Sequence, residues 1–135
     1  MQEGTFRAAM TAIATASALA AAACASSAPQ NALSGTRWAV ESIGGAPAAG
    51  ATIEFSAERV AGAGGCNRFF GGYAVSGESI SFNDVGSTRM ACAPEIMARE
   101  TAFFGVLNSA QRYARIGDRL EITASDGAVL SLRAQ

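Results

Sequence analysis

Gly64-Gly65-Cys66-Asn67-Arg68-Phe69-Phe70-Gly71-Gly72-Tyr73 is the stretch on which the reading of this 135-residue chain turns. Four glycines in ten residues mark tight turns or close backbone approach. The aromatic residues between them favour a pleated, half-buried strand. Gly62, Gly64 and Gly65 suit a bulge or sharp bend, and Gly71 and Gly72 a second one before Tyr73. Asn67 can bond nearby backbone and fix a turn. Arg68 has two readings: it binds an anion, or it pairs with a local carboxylate or carbonyl, and the structural pairing carries more weight. A companion stretch, Thr88-Arg89-Met90-Ala91-Cys92, supplies the other cysteine outside the N-terminal leader.

Outward from this centre the pattern is short strands broken by turn residues. Arg37 to Ile43 carries the lone tryptophan, Trp38, with Val40 on the same face. Residues 44–50 form a Gly/Ala/Pro loop. Thr52-Ile53-Glu54-Phe55 alternates polar and apolar, as a half-buried strand does. Arg59 to Ala63, Phe69 to Val75, Ser79 to Phe82 and Val85 to Met90 continue the series. Residues 112–116, 119–123 and 129–133 close it, the first two joined by Gly117-Asp118, a two-residue hairpin signal. Pro94 to Ala110 differs. Proline and Glu95 open it as a helix opens, and Ile96, Phe103, Phe104 and Leu107 recur at helical spacing with Glu100 as the one polar member. Such a stripe is a packing face before it is a binding face. The sum is a mainly β chain with one helix: a small antiparallel barrel-like sheet, packed against or closed by that helix. The expected core is Trp38, Val40, Ile53, Phe55, Phe69, Tyr73, Ile80, Phe82, Phe103, Phe104, Leu107, Leu120, Ile122, Leu130 and Leu132.

Composition excludes several functions. A formal net charge of −1 offers no broad basic face to nucleic acid. All ten basic residues are arginine, which reads as compositional bias. Histidine is absent, and with it the commonest general base and transition-metal ligand. The acids Glu54, Glu58, Asp84, Glu95, Glu100, Asp118, Glu121 and Asp126 are scattered, and no two are singled out as a pair. No phosphate-binding glycine pattern is present. Neither a catalytic residue nor a metal or cofactor is expected.

Residues 1–23 read as a signal peptide. Arg7 supplies a positive start and Ala8 to Ala23 an uncharged run too weakly apolar to span a bilayer. Small residues lead directly into Cys24, as in a bacterial lipobox, where the new N-terminal cysteine carries lipid. Ala21 stands where that box usually has leucine, and ordinary cleavage at a nearby Ala-x-Ala site is the alternative. Lipidation removes an otherwise free thiol from an oxidising compartment and gives stable anchoring. Residues 24–32 then read as a flexible tether to a domain over 33–133.

The order of these features resembles the META domain, the family of HslJ-like bacterial envelope proteins. The resemblance rests on the Trp38 strand, Ile53-Glu54-Phe55, the signature residues Gly65, Cys66, Asn67, Arg68, Phe69, Gly72 and Tyr73, and then Thr88, Met90 and Cys92. Glu100, Phe103, Leu107 and Tyr113 follow in family order. It implies a small β-barrel-like domain behind a signal or lipoprotein leader, an association with envelope stress and drug tolerance, and no agreed catalytic activity. In an exported chain Cys66 and Cys92 read as a disulfide; two buried free thiols are the alternative, and only geometry decides. Two functions follow as expectations. One is a non-enzymatic envelope lipoprotein on a membrane, binding an envelope protein or a small apolar ligand. The other is an extracytoplasmic enzyme or enzyme inhibitor acting on cell-wall material.

Overall fold

The computed structural model describes residues 31–135. The segment read as a signal peptide, Cys24 and the expected tether as far as residue 30 lie outside the described residues. The chain forms strands β1 (Thr36–Ile43), β2 (Ala46–Pro47), β3 (Thr52–Phe55), β4 (Arg59–Ala63), β5 (Arg68–Ser76) and β6 (Ser79–Ser87), then helix α1 (Pro94–Asn108), then β7 (Ala110–Ile116), β8 (Arg119–Ala124) and β9 (Val129–Ala134). Every pairing is antiparallel and almost every strand pairs with its chain neighbour. β1 then pairs with β9, with Trp38 opposite Ala134 and Val40 opposite Leu132, and the sheet closes on itself. β2 is a short arm beside the end of β1, so eight of the nine strands make the ring.

An eight-stranded ring is just wide enough for side chains to fill it. Trp38, Ile53, Phe55, Val60, Phe69, Leu120, Ile122, Leu130 and Leu132 point inward and are buried. The alternation that predicts them holds strand by strand. α1 lies across one mouth, touching β1, β6, β8 and β9, and inserts Phe103, Val106 and Leu107. Phe69 meets Phe103 and Phe104 edge-on, with ring centroids 5.4 and 5.8 Å apart. The opposite mouth is closed by the turn at residues 32–35. It seats a fully buried Leu33 and is tied by the Gly35 N–H to the Phe55 carbonyl at 2.8 Å. Tyr73 finishes that end: its hydroxyl donates to the Ser56 carbonyl and accepts from the Asn31 amide, both at 2.6 Å. Burial pushes its phenol above the ordinary value of 10.0.

Several expectations need correction. Phe82 and Phe104 are half-buried against the core's margin instead of sealed within it. Leu33, Val60, Val106 and three alanines, Ala48, Ala51 and Ala124, join the core. The strand expected over Val85 to Met90 does not exist as a separate element. β6 runs unbroken to Ser87 through a bulge, where Asp84 takes a left-handed backbone at φ 51° and Gly71 faces the extra residue. The helix stops at Asn108, and Ala110 opens β7. Asn31 and Ala32, read as tether, belong to the folded body through Tyr73 and through the Arg115 guanidinium, which donates to the Ala32 carbonyl. The ring also has one thin place: β6 and β7 share a single bridged pair, Ser79 with Arg112.

Candidate functional site

The signature stretch makes the corner between β4 and β5, directly under α1. The helix sends Glu100 into that corner, where the side chain is buried. Its Oε2 accepts from the backbone N–H groups of Cys66 at 2.8 Å and Asn67 at 2.6 Å, and its Oε1 accepts from the Asn67 side-chain amide at 2.6 Å. Asn67 is equally committed. Its Oδ1 accepts from the Met90 N–H at 2.6 Å and the Thr88 hydroxyl at 3.0 Å, and its amide reaches the Met90 carbonyl at 3.2 Å. One Asn–Glu pair thus binds the corner, the 88–90 segment and the helix together. The Cys66–Cys92 disulfide, with Cα atoms 6.0 Å apart, fastens the same two segments covalently.

The glycines answer to this arrangement. A Cβ on Gly64 would lie 2.9 Å from Glu100 Cγ and 3.0 Å from Oε2, so only glycine lets the carboxylate approach. At Gly62 a Cβ would stand 2.0 Å from the Thr52 carbonyl oxygen, inside the β3–β4 ladder.

Among the described residues Glu100 makes no ion pair; three N–H groups hold its charge. Burial alone pushes its carboxyl up. The bonds from the Asn67 backbone, the Asn67 side chain and the Cys66 backbone pull it down, and together they leave it below the ordinary 4.5. The folded chain therefore holds this proton less readily than the unfolded chain. The stabilisation is complete above pH 4.5 and drains away as the pH falls through the depressed folded value. Urea melts at stepped pH should show stability declining on the acid side, and a Glu100→Gln chain should lose that part of the slope. Removing the disulfide by Cys66→Ala with Cys92→Ala should cost about 3 kcal/mol for a bridge spanning 26 residues, read from the same melts.

The arrangement has no reactive group to spare. Its single buried carboxylate and its asparagine are fully used in bonding, and among the described residues no cluster of three or more Cys, Asp or Glu side chains is placed to hold a metal. Of the signature residues, Gly65, Cys66, Asn67, Thr88, Met90 and Cys92 meet at the corner, while Phe69 and Tyr73 belong to the core. Gly72 faces outward against Asn83. Arg68 does not take the local pairing expected of it. It points outward and makes no side-chain hydrogen bond or ion pair among the described residues. Its neighbour Phe70 is 54% exposed. Sequence reasoning missed Glu100 as the organising side chain. The available signal was an acid in an otherwise apolar helical stripe, downstream of a glycine-rich turn full of free N–H groups.

Several openings lie on the outer surface of the described residues. A cleft of about 710 Å³ sits by the mouth that Leu33 closes, among Asn31, Glu58, Tyr73, Asn83 and Tyr113. A groove of about 250 Å³ crosses β3 and β4 between Arg37 and Arg68.

The META domain family model matches residues 31–135. An NMR structure of a protein from Burkholderia xenovorans shares the fold at TM-score 0.65 and 24% identity, over 76% of this chain and 83% of that one. A crystal structure of a duf4847 family protein from Bacteroides vulgatus does so at TM-score 0.59 and 12% identity, over 76% and 94%. No curated protein matches the chain in sequence.

Proposed function

Because this chain belongs to the META domain family, we propose that it serves as a non-enzymatic binding or assembly module of the bacterial cell envelope, carried on a membrane by lipid at Cys24. The observation behind this reading is the filled interior. Trp38, Phe55, Phe69 and Phe103 are all buried inside a ring closed by α1 at one mouth and by Leu33 at the other. A barrel of this size either holds one small ligand or fills with its own side chains, and this one takes the second course. The filled interior supports placing the working surface on the outer wall. Catalysis needs positioned titratable groups, and the one buried carboxylate among the described residues is spent on three structural bonds.

Intact-mass analysis of the membrane fraction tests the anchor. The expected product begins at Cys24 and carries acyl chains; a soluble product beginning elsewhere removes that part of the proposal. Assays against peptidoglycan, ester and peptide substrates test the rest. Turnover abolished by a single substitution at Glu54, Glu100 or Arg68 would replace the binding module with an enzyme.

A further inference from the structure

We propose that the outer groove between Arg37 and Arg68 receives an extended acidic peptide segment of a partner protein. Ala61 and Ala63 of β4 form its floor, and their small side chains leave the depth. Thr52 and the Arg37–Glu54 ion pair, N to O at 3.0 Å, form one wall. Arg68 forms the other.

The charge is set for an anion. Glu54, the one acidic side chain of the lining, is already held by Arg37. Arg112, Arg119 and Arg133 hold carboxylates elsewhere on the surface. Arg59, on the same outward face of β4 as Ala61, and Arg89, next to the Thr88 that bonds the Arg68 backbone, have no ion pair among the described residues. A carboxylate entering the groove meets the Arg68 guanidinium with its planar fork free, the geometry suited to two parallel N–H bonds.

The spacing favours a peptide over a free ion. Arg68 and Phe70 stand two residues apart on the outer face of β5, about 7 Å along the strand. Phe70 lies beside Ala61 and over Gly86, with its ring more than half exposed. An extended peptide presents alternate side chains at that same repeat. An acid followed two places later by an apolar residue sets its carboxylate on Arg68 and its apolar side chain on Phe70. β4 and β5 are paired on both edges, so the contact is made through side chains on the sheet's face and adds no strand.

This deepens the binding-module reading and rests on its placing of the working surface on the outer wall. The test is a titration of the purified chain with acetyl-Ser-Glu-Ser-Leu-Ser-amide, followed by NMR amide shifts. The expected result is shifts centred on Ala61, Ala63, Arg68 and Phe70, weakening as salt rises. Affinity should fall about tenfold or more in Arg68→Ala and severalfold in Phe70→Ala, and should hold in Arg112→Ala, which lies outside the groove. All three side chains are exposed, and thermal melts verify that each variant folds; Arg68→Gln replaces any Arg68→Ala chain that does not. Equal binding by the glutamine version of the peptide overturns the proposal. So does inorganic phosphate producing the same shifts at the same affinity, or phosphatidylglycerol vesicles binding through Arg68 while the peptide does not. A peptide that fails while a cross-linked envelope protein maps to another outer face sinks the groove and leaves the module; absence of any outer-face partner sinks the module as well.

Discussion

Glu100→Ala is expected to destabilise the chain by about 3–5 kcal/mol, a large share of the stability of a domain this size. The change removes the acceptor for two backbone N–H groups and one amide, at 2.6 to 2.8 Å, in a buried corner that water reaches poorly. Each donor left without a partner costs about 1–3 kcal/mol. Glu100→Gln separates the charge from the shape. The glutamine oxygen can still serve the Cys66 and Asn67 N–H groups, but its amide then faces the Asn67 amide, donor against donor. The expected cost is about 1–3 kcal/mol. Urea denaturation of both variants decides the matter. Equal and small losses would mean that the network is ornamental and that the disulfide alone holds the corner.

Phe103→Ala is expected to cost about 3–5 kcal/mol. Phe103 is fully buried where α1 enters the ring, and its ring sits 5.4 Å from those of both Phe69 and Phe104. Truncation opens a cavity where helix and barrel share a core. Phe104→Ala is the control. It lies at the core's margin, half-buried, so its loss should be clearly smaller. If the two variants melt alike, α1 has been assigned the wrong inward face.

Much of the barrel is legible in the sequence because alternation along a strand is a direct record of which side faces the core. Thr52-Ile53-Glu54-Phe55 shows this, with Ile53 and Phe55 buried and Glu54 exposed. Leu33 is illegible for the opposite reason: it lies in a turn, where no period marks a buried side chain. The bulge at Asp84 hides the continuity of β6, since Asn83-Asp84 reads as a turn between two strands. The corner was half legible. Its glycines, Asn67 and the cysteine pair stand out, but its central acid comes from a helix more than thirty residues downstream. Burial of Glu100 depends on N–H groups that a linear reading leaves without an address. The free guanidinium of Arg68 is likewise a property of what the fold fails to bring near it.

The pairing of β1 with β9 has a temporal meaning. Local hairpins such as β5–β6 and β8–β9 can form as soon as their residues exist, but the ring has no closure until Val129–Ala134 arrives to meet Thr36–Ile43. A chain delivered from its N-terminus stays open, its first strand lacking one neighbour, until β9 has emerged. Contacts of such long sequence separation place closure in the slow, millisecond-to-second range. An unfinished barrel is the form whose open edge can still pair with another chain.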